Sequence, residues 1–275
     1  VRLEKYTMGY DMITEKYLST MVELLEHLNS LPNNFIYRGQ SDAGWSLDST
    51  LERLLGSSWS KENARKFEDR SISVFKSKYH IYQSQEHSPK SKLSWLSVMQ
   101  HYGTPTRLID FSESPYIALY FALESYSPLS DKNFSIFAID YTAVMEKSIS
   151  HIKEEDSKFS ETRSSISVNP DKIFEDVVDR FSYNVLWITE PMELNARIDR
   201  QSGTFLLSGN REKTIDSVIA SGLYDGCSLQ KLIVNKALFK NCYALLRKMG
   251  INSKSIYGDL AGLSKSIKME LQTYT

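Results

Sequence analysis

Arg38-Gly39-Gln40 sets a cation, a flexible backbone and an amide side by side at the end of a short apolar run, Phe35-Ile36-Tyr37. Arginine offers a rigid donor fork suited to phosphate or carboxylate, and glycine lets a ligand or a second backbone approach closely. A second polar cluster runs from Thr106 to Glu113, with Arg107, Asp110, Ser112 and Glu113 around a short strand, Arg107-Leu108-Ile109-Asp110. The third is Arg197 to Gly203, where Arg197, Arg200 and Gln201 lead through a glycine into a β-rich run. Taken singly, each matches a strand end with a surface arginine, or an Arg–Asp clasp under a loop. Together, three separated clusters rich in arginine and amide groups point to one pocket for an anionic, hydrogen-bonding ligand.

The elements that must hold these clusters follow from local pattern. Ser114 is a good N-cap and Pro115 suits the first helical position, so a helix follows at once. That helix, Tyr116 to Leu123, is apolar on every face and should be buried all round. Helical periodicity is also read over Glu15 to Leu31, Lys61 to Tyr82, Leu93 to His101, Asp171 to Phe181 and Lys236 to Met249. Strands are expected at Phe35-Ile36-Tyr37, Phe134 to Asp140, Val185 to Ile188 and Lys231 to Val234, and a short strand with a helical turn within Trp45 to Leu55. The serine-rich residues 150 to 170 read as an exposed loop or lid, and Ser255 to Leu263 as a loop feeding a last helix. Without regular βαβ alternation, the pattern predicts one α+β domain, in which a helical segment, 1–34, precedes a main domain, 35–275.

Composition narrows the chemistry. The 275 residues carry a formal net charge of −1, which gives no global pull toward nucleic acid or an anionic membrane. Cys227 and Cys242 have no metal or redox spacing and suggest a reducing compartment. No basic-then-apolar signal and no long apolar run are seen, so a cytoplasmic protein with no membrane span is expected. The histidines at 27, 80, 87, 101 and 151 are scattered without metal-ligand spacing, and no metal is expected. G-x-G-x-x-G, P-loop and G-x-S-x-G patterns are all absent.

At the same stretches the chain resembles the FRG domain family, through Tyr37-Arg38-Gly39-Gln40 and Gln100-His101-x-Gly103-x-Pro105-Thr106-Arg107-Leu108-x-Asp110. The match goes on at Ser114-Pro115 with Ala118-Leu119-Tyr120-Phe121-Ala122, at Arg197-Ile198 with Gln201-x-Gly203-x-Phe205, and at Asp259-Leu260-x-Gly262-Leu263. That family is similar, more remotely, to ADP-ribosyltransferases. The resemblance implies a mixed, split β-sheet flanked by helices and an enzyme that passes ADP-ribose from NAD to a macromolecular acceptor. It implies catalytic roles for Arg38, Asp110 and Gln201, with Ser112 orienting Asp110 and Arg107 locking it. Binding roles would fall to Tyr37, Gly39, Gln40, His101, Thr106, Arg107, Ser112 and Arg197, and stacking to Tyr102, Phe111 and Tyr120. Defence-associated toxins of the family suggest a base in RNA as acceptor, with phosphate contacts from Arg197, Arg200, Lys231 or Lys236, and a neutralising antitoxin as partner. The glutamate expected beside Gln201 is missing, so Gln201 or a displaced carboxylate, Asp110, Glu113, Glu190 or Asp199, would replace it. Gly258 is a lesser departure. The alternative is a non-catalytic module that binds a nucleotide or a partner.

Overall fold

Phe35–Gln40 and Phe134–Asp140 bury side chains of both parities, the pattern of strands in the middle of a sheet covered on both faces. In the computed structural model, which describes residues 12–56, 60–83, 88–127, 129–192 and 196–272, they are neighbours at the centre of a seven-stranded sheet. The strands are β1 (Thr14–Leu18), β2 (Phe35–Gln40), β3 (Ile109–Ser112), β4 (Phe134–Asp140), β5 (Leu186–Thr189), β6 (Gly203–Ser208) and β7 (Leu229–Val234). Their order is β1-β7-β4-β2-β3-β6-β5, antiparallel throughout except for the β1–β7 pair. The helices are α1 (Met21–Ser30), α2 (Thr50–Leu55), α3 (Lys61–Tyr82), α4 (Lys92–His101), α5 (Pro115–Glu124), α6 (Tyr141–Glu155) and α7 (Arg163–Val168). They continue with α8 (Pro170–Ile173), which runs into a π turn at Phe174–Asp179, then α9 (Ala196–Arg200), α10 (Ile215–Ile219), α11 (Phe239–Lys248), α12 (Ser253–Tyr257) and α13 (Leu260–Gln272).

The protein is thus a single α+β domain with helices on both faces of a mixed sheet. Strand alternation feeds two cores. Phe35, Tyr37, Ile136 and Ala138 pack with Leu24, Leu119 and Leu246 on one face. Ile36, Phe137 and Ile139 pack with Leu96, Val144 and Ile219 on the other. Among the described residues no helix is long and apolar enough to cross a membrane.

Helix α5 lies directly on β2, and the reason is Gly39. A Cβ there would sit 1.8 Å from the Ala118 carbonyl oxygen and 2.5 Å from the Ala122 nitrogen. The backbone that Gly39 admits is therefore that of a helix of the same chain. The expected start of α5 is present, with Ser114 Oγ accepting from the Ile117 amide and Pro115 in the first turn.

Next to β2 the sheet parts. β2 pairs with β4 from Phe35 to Gln40, and β3 pairs with β6 from Ile109 to Ser112, but β2 and β3 share only the Tyr37–Ser112 partnership. Beyond it the two strands diverge, and the gap opens toward Arg38, Gly39 and Gln40.

Several local expectations need correction. Glu15 to Leu31 is not one helix: Thr14–Leu18 is an edge strand on β7, and Thr20 with Glu23 forms a capping box that fixes where α1 begins. No strand precedes the helical turn of α2, and the cluster from Arg197 to Gly203 begins within α9. Residues 150–170 are not a lid but the end of α6, all of α7 and the link between them, and α6 buries Val144, Met145, Ile149 and Ile152 beneath a polar surface. Ser255 to Leu263 is largely α12 and the start of α13.

Candidate functional site

The gap between β2 and β3 widens into a cavity of about 630 Å³. Arg38, Asp110 and Gln201, which come from β2, β3 and the turn after α9, all line it, together with Tyr37, Gly39, Gln40, Phe111 and Ser112. This volume lies within the range of roughly 300–1,000 Å³ found for small-molecule sites.

Arg38 spans the gap. Its Nη1 donates to the Asp110 carbonyl at 2.9 Å, while its Nε is buried and finds no acceptor. Burial presses the Arg38 pKa below its ordinary value; the charge of Asp110 opposes this and that of Arg53, another wall residue, adds to it. The Asp110 carboxylate accepts from Gln100 Nε2 at 2.7 Å, and Gln100 Oε1 in turn accepts from Thr106 Oγ1. Gln100, absent from the expected site, is therefore what orients Asp110. Ser112 does not: its Oγ donates to the Gln201 carbonyl at 2.7 Å and accepts from the Ser114 amide at 3.1 Å, tying β3 to the turn that carries Gln201. That turn is sharp, and Ser202 adopts φ 43° within it.

Two buried amides face the cavity with an atom unused. Gln40 is 4% exposed and its Oε1 has no donor; Gln201 is 8% exposed and its Nε2 has no acceptor. Buried polar atoms are nearly always paired, so these two exceptions in the cavity wall are candidates for contact with a ligand.

The far wall was not anticipated from sequence. Trp45, Asp48 and Arg53 come from the loop after β2 and from α2, whereas Phe121, Glu124, Tyr257 and Lys265 come from α5, α12 and α13. Glu124 accepts from Tyr120 and Tyr257 hydroxyls at 2.8 Å each and pairs with Lys265 at 3.1 Å. Lys265 lies 4.0 Å from the centre of the Tyr257 ring. Trp45 is 53% exposed, yet its carbonyl accepts from Lys231 at 3.0 Å and the neighbouring Ser46 carbonyl from Gln40 at 2.9 Å. An aromatic ring is thus held by its backbone at the mouth of the cavity.

Other expected site residues lie elsewhere. Arg107 neither enters the cavity nor locks Asp110. It is 4% exposed in an ion cluster, with Nε 2.9 Å from Glu68 and Nη2 on Asp179, which also pairs with Lys92 at 2.7 Å. Burial alone would raise the Asp179 pKa, but Arg107, Lys92 and Arg211 outweigh it and hold the carboxyl at about 2. Thr106 is buried and exchanges hydrogen bonds with Thr50, and it reaches the site only through Gln100. His101 is exposed at the end of α4, edge-on to the Tyr102 ring, and lines no part of the cavity. Tyr102 and Tyr120 do not line it either, whereas Phe111 does. Arg197 belongs to α9, but its side chain lies outside the described residues. Arg200 is exposed and donates to the Tyr257 carbonyl at 2.9 Å, Lys231 is 4% exposed and so is not presented to a phosphate, and Lys236 is exposed. Of the alternative carboxylates, Glu113 and Glu190 line a separate cavity of about 290 Å³, where burial and the charge of Glu113 raise the Glu190 pKa. Asp199 is exposed, outside both cavities. Among the described residues no group of His, Cys, Asp and Glu could hold a metal ion.

The molecule is therefore an α+β domain with a cavity where its central sheet separates. Residues 33–131, which include β2, β3, α5 and so two of the three polar clusters, match the model of the FRG domain. No curated protein and no solved structure matches the chain.

Proposed function

We propose that the protein cleaves the nicotinamide–ribose bond of NAD and passes ADP-ribose to a macromolecular acceptor. The observation that carries this reading is the meeting of Arg38, Asp110 and Gln201, distant in sequence, around one cavity with unpaired polar atoms and aromatic walls. Cleavage develops positive charge on the ribose, so the site needs a nearby anion and a grip on the diphosphate. Asp110, fixed by Gln100, supplies the anion; Arg38 and Arg53 face the phosphates; Gln201 directs the acceptor. A base in RNA as acceptor, a role as a defence toxin and restraint by an antitoxin belong to the same reading and rest on family resemblance.

Incubating the protein with NAD labelled in its ADP-ribose portion, alone and with total RNA or cell lysate, tests it. Label transfer that Arg38→Ala abolishes without lowering the melting temperature supports the enzyme. Unchanged NAD under every condition refutes it.

A non-catalytic nucleotide-binding module is favoured by one feature: the cavity carboxylates are already engaged, Asp48 by Ser46, Asp110 by Gln100 and Glu124 by two tyrosines and Lys265. Saturable NAD binding without turnover would identify it.

A further inference from the structure

The orientation of the Gln40 amide is fixed. Its Nε2 donates to the Ser46 carbonyl at 2.9 Å, and reversing the amide would set two oxygens against each other. Oε1 is thereby committed as an acceptor in a cavity wall, with no protein donor and only 4% of the residue exposed. Gln201 presents the complementary group, a buried Nε2 donor with no acceptor, from the turn after α9. The Gln201 backbone cannot drift, because its carbonyl accepts from Ser112 and its amide donates to the Ile198 carbonyl at 3.1 Å. One wall thus offers an acceptor whose orientation Ser46 fixes, and another an unpaired amide nitrogen on a backbone that is held in place.

We infer that Gln40 and Gln201 form a reading pair for a planar ligand edge that carries an adjacent hydrogen-bond donor and acceptor, with Gln40 setting the polarity. Such an edge occurs on a carboxamide and on a nucleobase, and both sources satisfy the same two atoms. A ligand edge that lacks the donor, or carries it in the reverse order, leaves Gln40 Oε1 unpaired or facing another acceptor. Sites of this kind discriminate strongly, because the protein group that loses its partner remains buried. The pair deepens the nucleotide reading above and relies on it only for the choice of probes.

Isothermal titration with NAD and two analogues tests the pair. In one analogue a carboxylate replaces the nicotinamide carboxamide and removes its donor; in the other hypoxanthine replaces adenine and reverses the order of donor and acceptor. The wild-type protein should bind one analogue at least roughly ten-fold more weakly than NAD. The analogue rejected identifies the source: the carboxylate analogue a carboxamide, the hypoxanthine analogue a base. Gln40→Met should bring the two affinities to within about two-fold, and Gln201→Met, which leaves the Gln40–Ser46 bond intact, should do the same. Equal affinities in the wild type, or discrimination that survives both substitutions in folded protein, overturn the inference. If NAD does not bind, the proposed activity fails. The pair is then judged by AMP against IMP and CMP against UMP, where loss of discrimination in both variants supports it, and equal binding or no binding in the wild type overturns it.

Discussion

Exchanging Asp179 for asparagine removes one of the two carboxylates at the heart of the ion cluster and leaves Lys92, Arg107 and Arg211 facing Glu68, with the more exposed Asp69 at the edge. Asp179 is 7% exposed, so its charge interactions are weakly screened. Its pKa falls from an ordinary 3.8 to about 2, which corresponds to roughly 2 kcal/mol of folding stability at ~1.4 kcal/mol per pH unit. Because the folded-state value lies below the unfolded one, acid protonates the unfolded chain first. The contribution is complete above about pH 4 and drains away as pH falls toward about 2. Asp179→Asn should therefore cost about 2–4 kcal/mol at neutral pH, the upper part reflecting cations left without a partner. Urea denaturation of both proteins at pH 7, and at steps below about pH 4, measures the difference. It should shrink steadily across the acid range. A loss under about 0.5 kcal/mol at neutral pH, or a difference that does not change with acid, would refute the reasoning that Arg107 serves as a clamp.

Gly39→Ala would press a methyl group into the backbone of α5, at 1.8 Å from the Ala118 oxygen, and should lower stability by more than about 3 kcal/mol, read as a melting temperature many degrees lower. Asp216→Asn should stabilise the protein. Burial, then the charges of Asp48 and Glu52, raise the Asp216 carboxyl to about 6, and ionising it above that pH works against folding. The gain, about 1–2 kcal/mol after allowance for solvent screening, should be present at pH 7 and vanish below about pH 4 in denaturation measurements. Trp45→Ala should leave the melting temperature within about 1–2 °C of wild type, since the ring is 53% exposed, while weakening nucleotide binding several-fold in titration calorimetry.

Near the site, legibility followed locality. Ser114, Pro115 and the apolar run behind them specify α5 without help from the rest of the chain, and the three polar clusters mark strand ends that do meet. The far wall escaped notice because its side chains look ordinary where they occur. Glu124 ends a buried helix, Lys265 sits on a terminal amphipathic one, and only packing of α5, α12 and α13 brings them together around Tyr257. Arg107 misled for a related reason. It is three residues from Asp110, but it lies in the bend before β3 begins, and the partners that claim Arg107 are Glu68 of α3 and Asp179 of the π turn. The β1 strand is a tertiary effect, since Thr14–Leu18 is followed closely by a helix and pairs with β7 more than 200 residues later. Two capping boxes, Thr20 with Glu23 and Thr162 with Ser165, were local signals that would have placed the starts of α1 and α7.

The parting of the sheet links stability to chemistry. After Tyr37, continued pairing would set β2 beside Asp110 and the residues before it, closing the cavity with a backbone ladder. Gly39 instead seats β2 against α5, and β3 follows β6, so the carbonyl of Asp110 faces a gap where a neighbouring strand would otherwise lie. The guanidinium of Arg38 fills that place by donating to this carbonyl. An arginine in this position does two things at once: it satisfies a strand edge and carries a positive charge to the floor of the cavity. Lysine could supply the charge but not the planar fork. Arg38→Lys should therefore retain the fold, lose most nucleotide affinity and fail to recover it at low ionic strength. Full affinity in the lysine variant would show that charge alone, and not the bridge across the parted strands, is what the site requires.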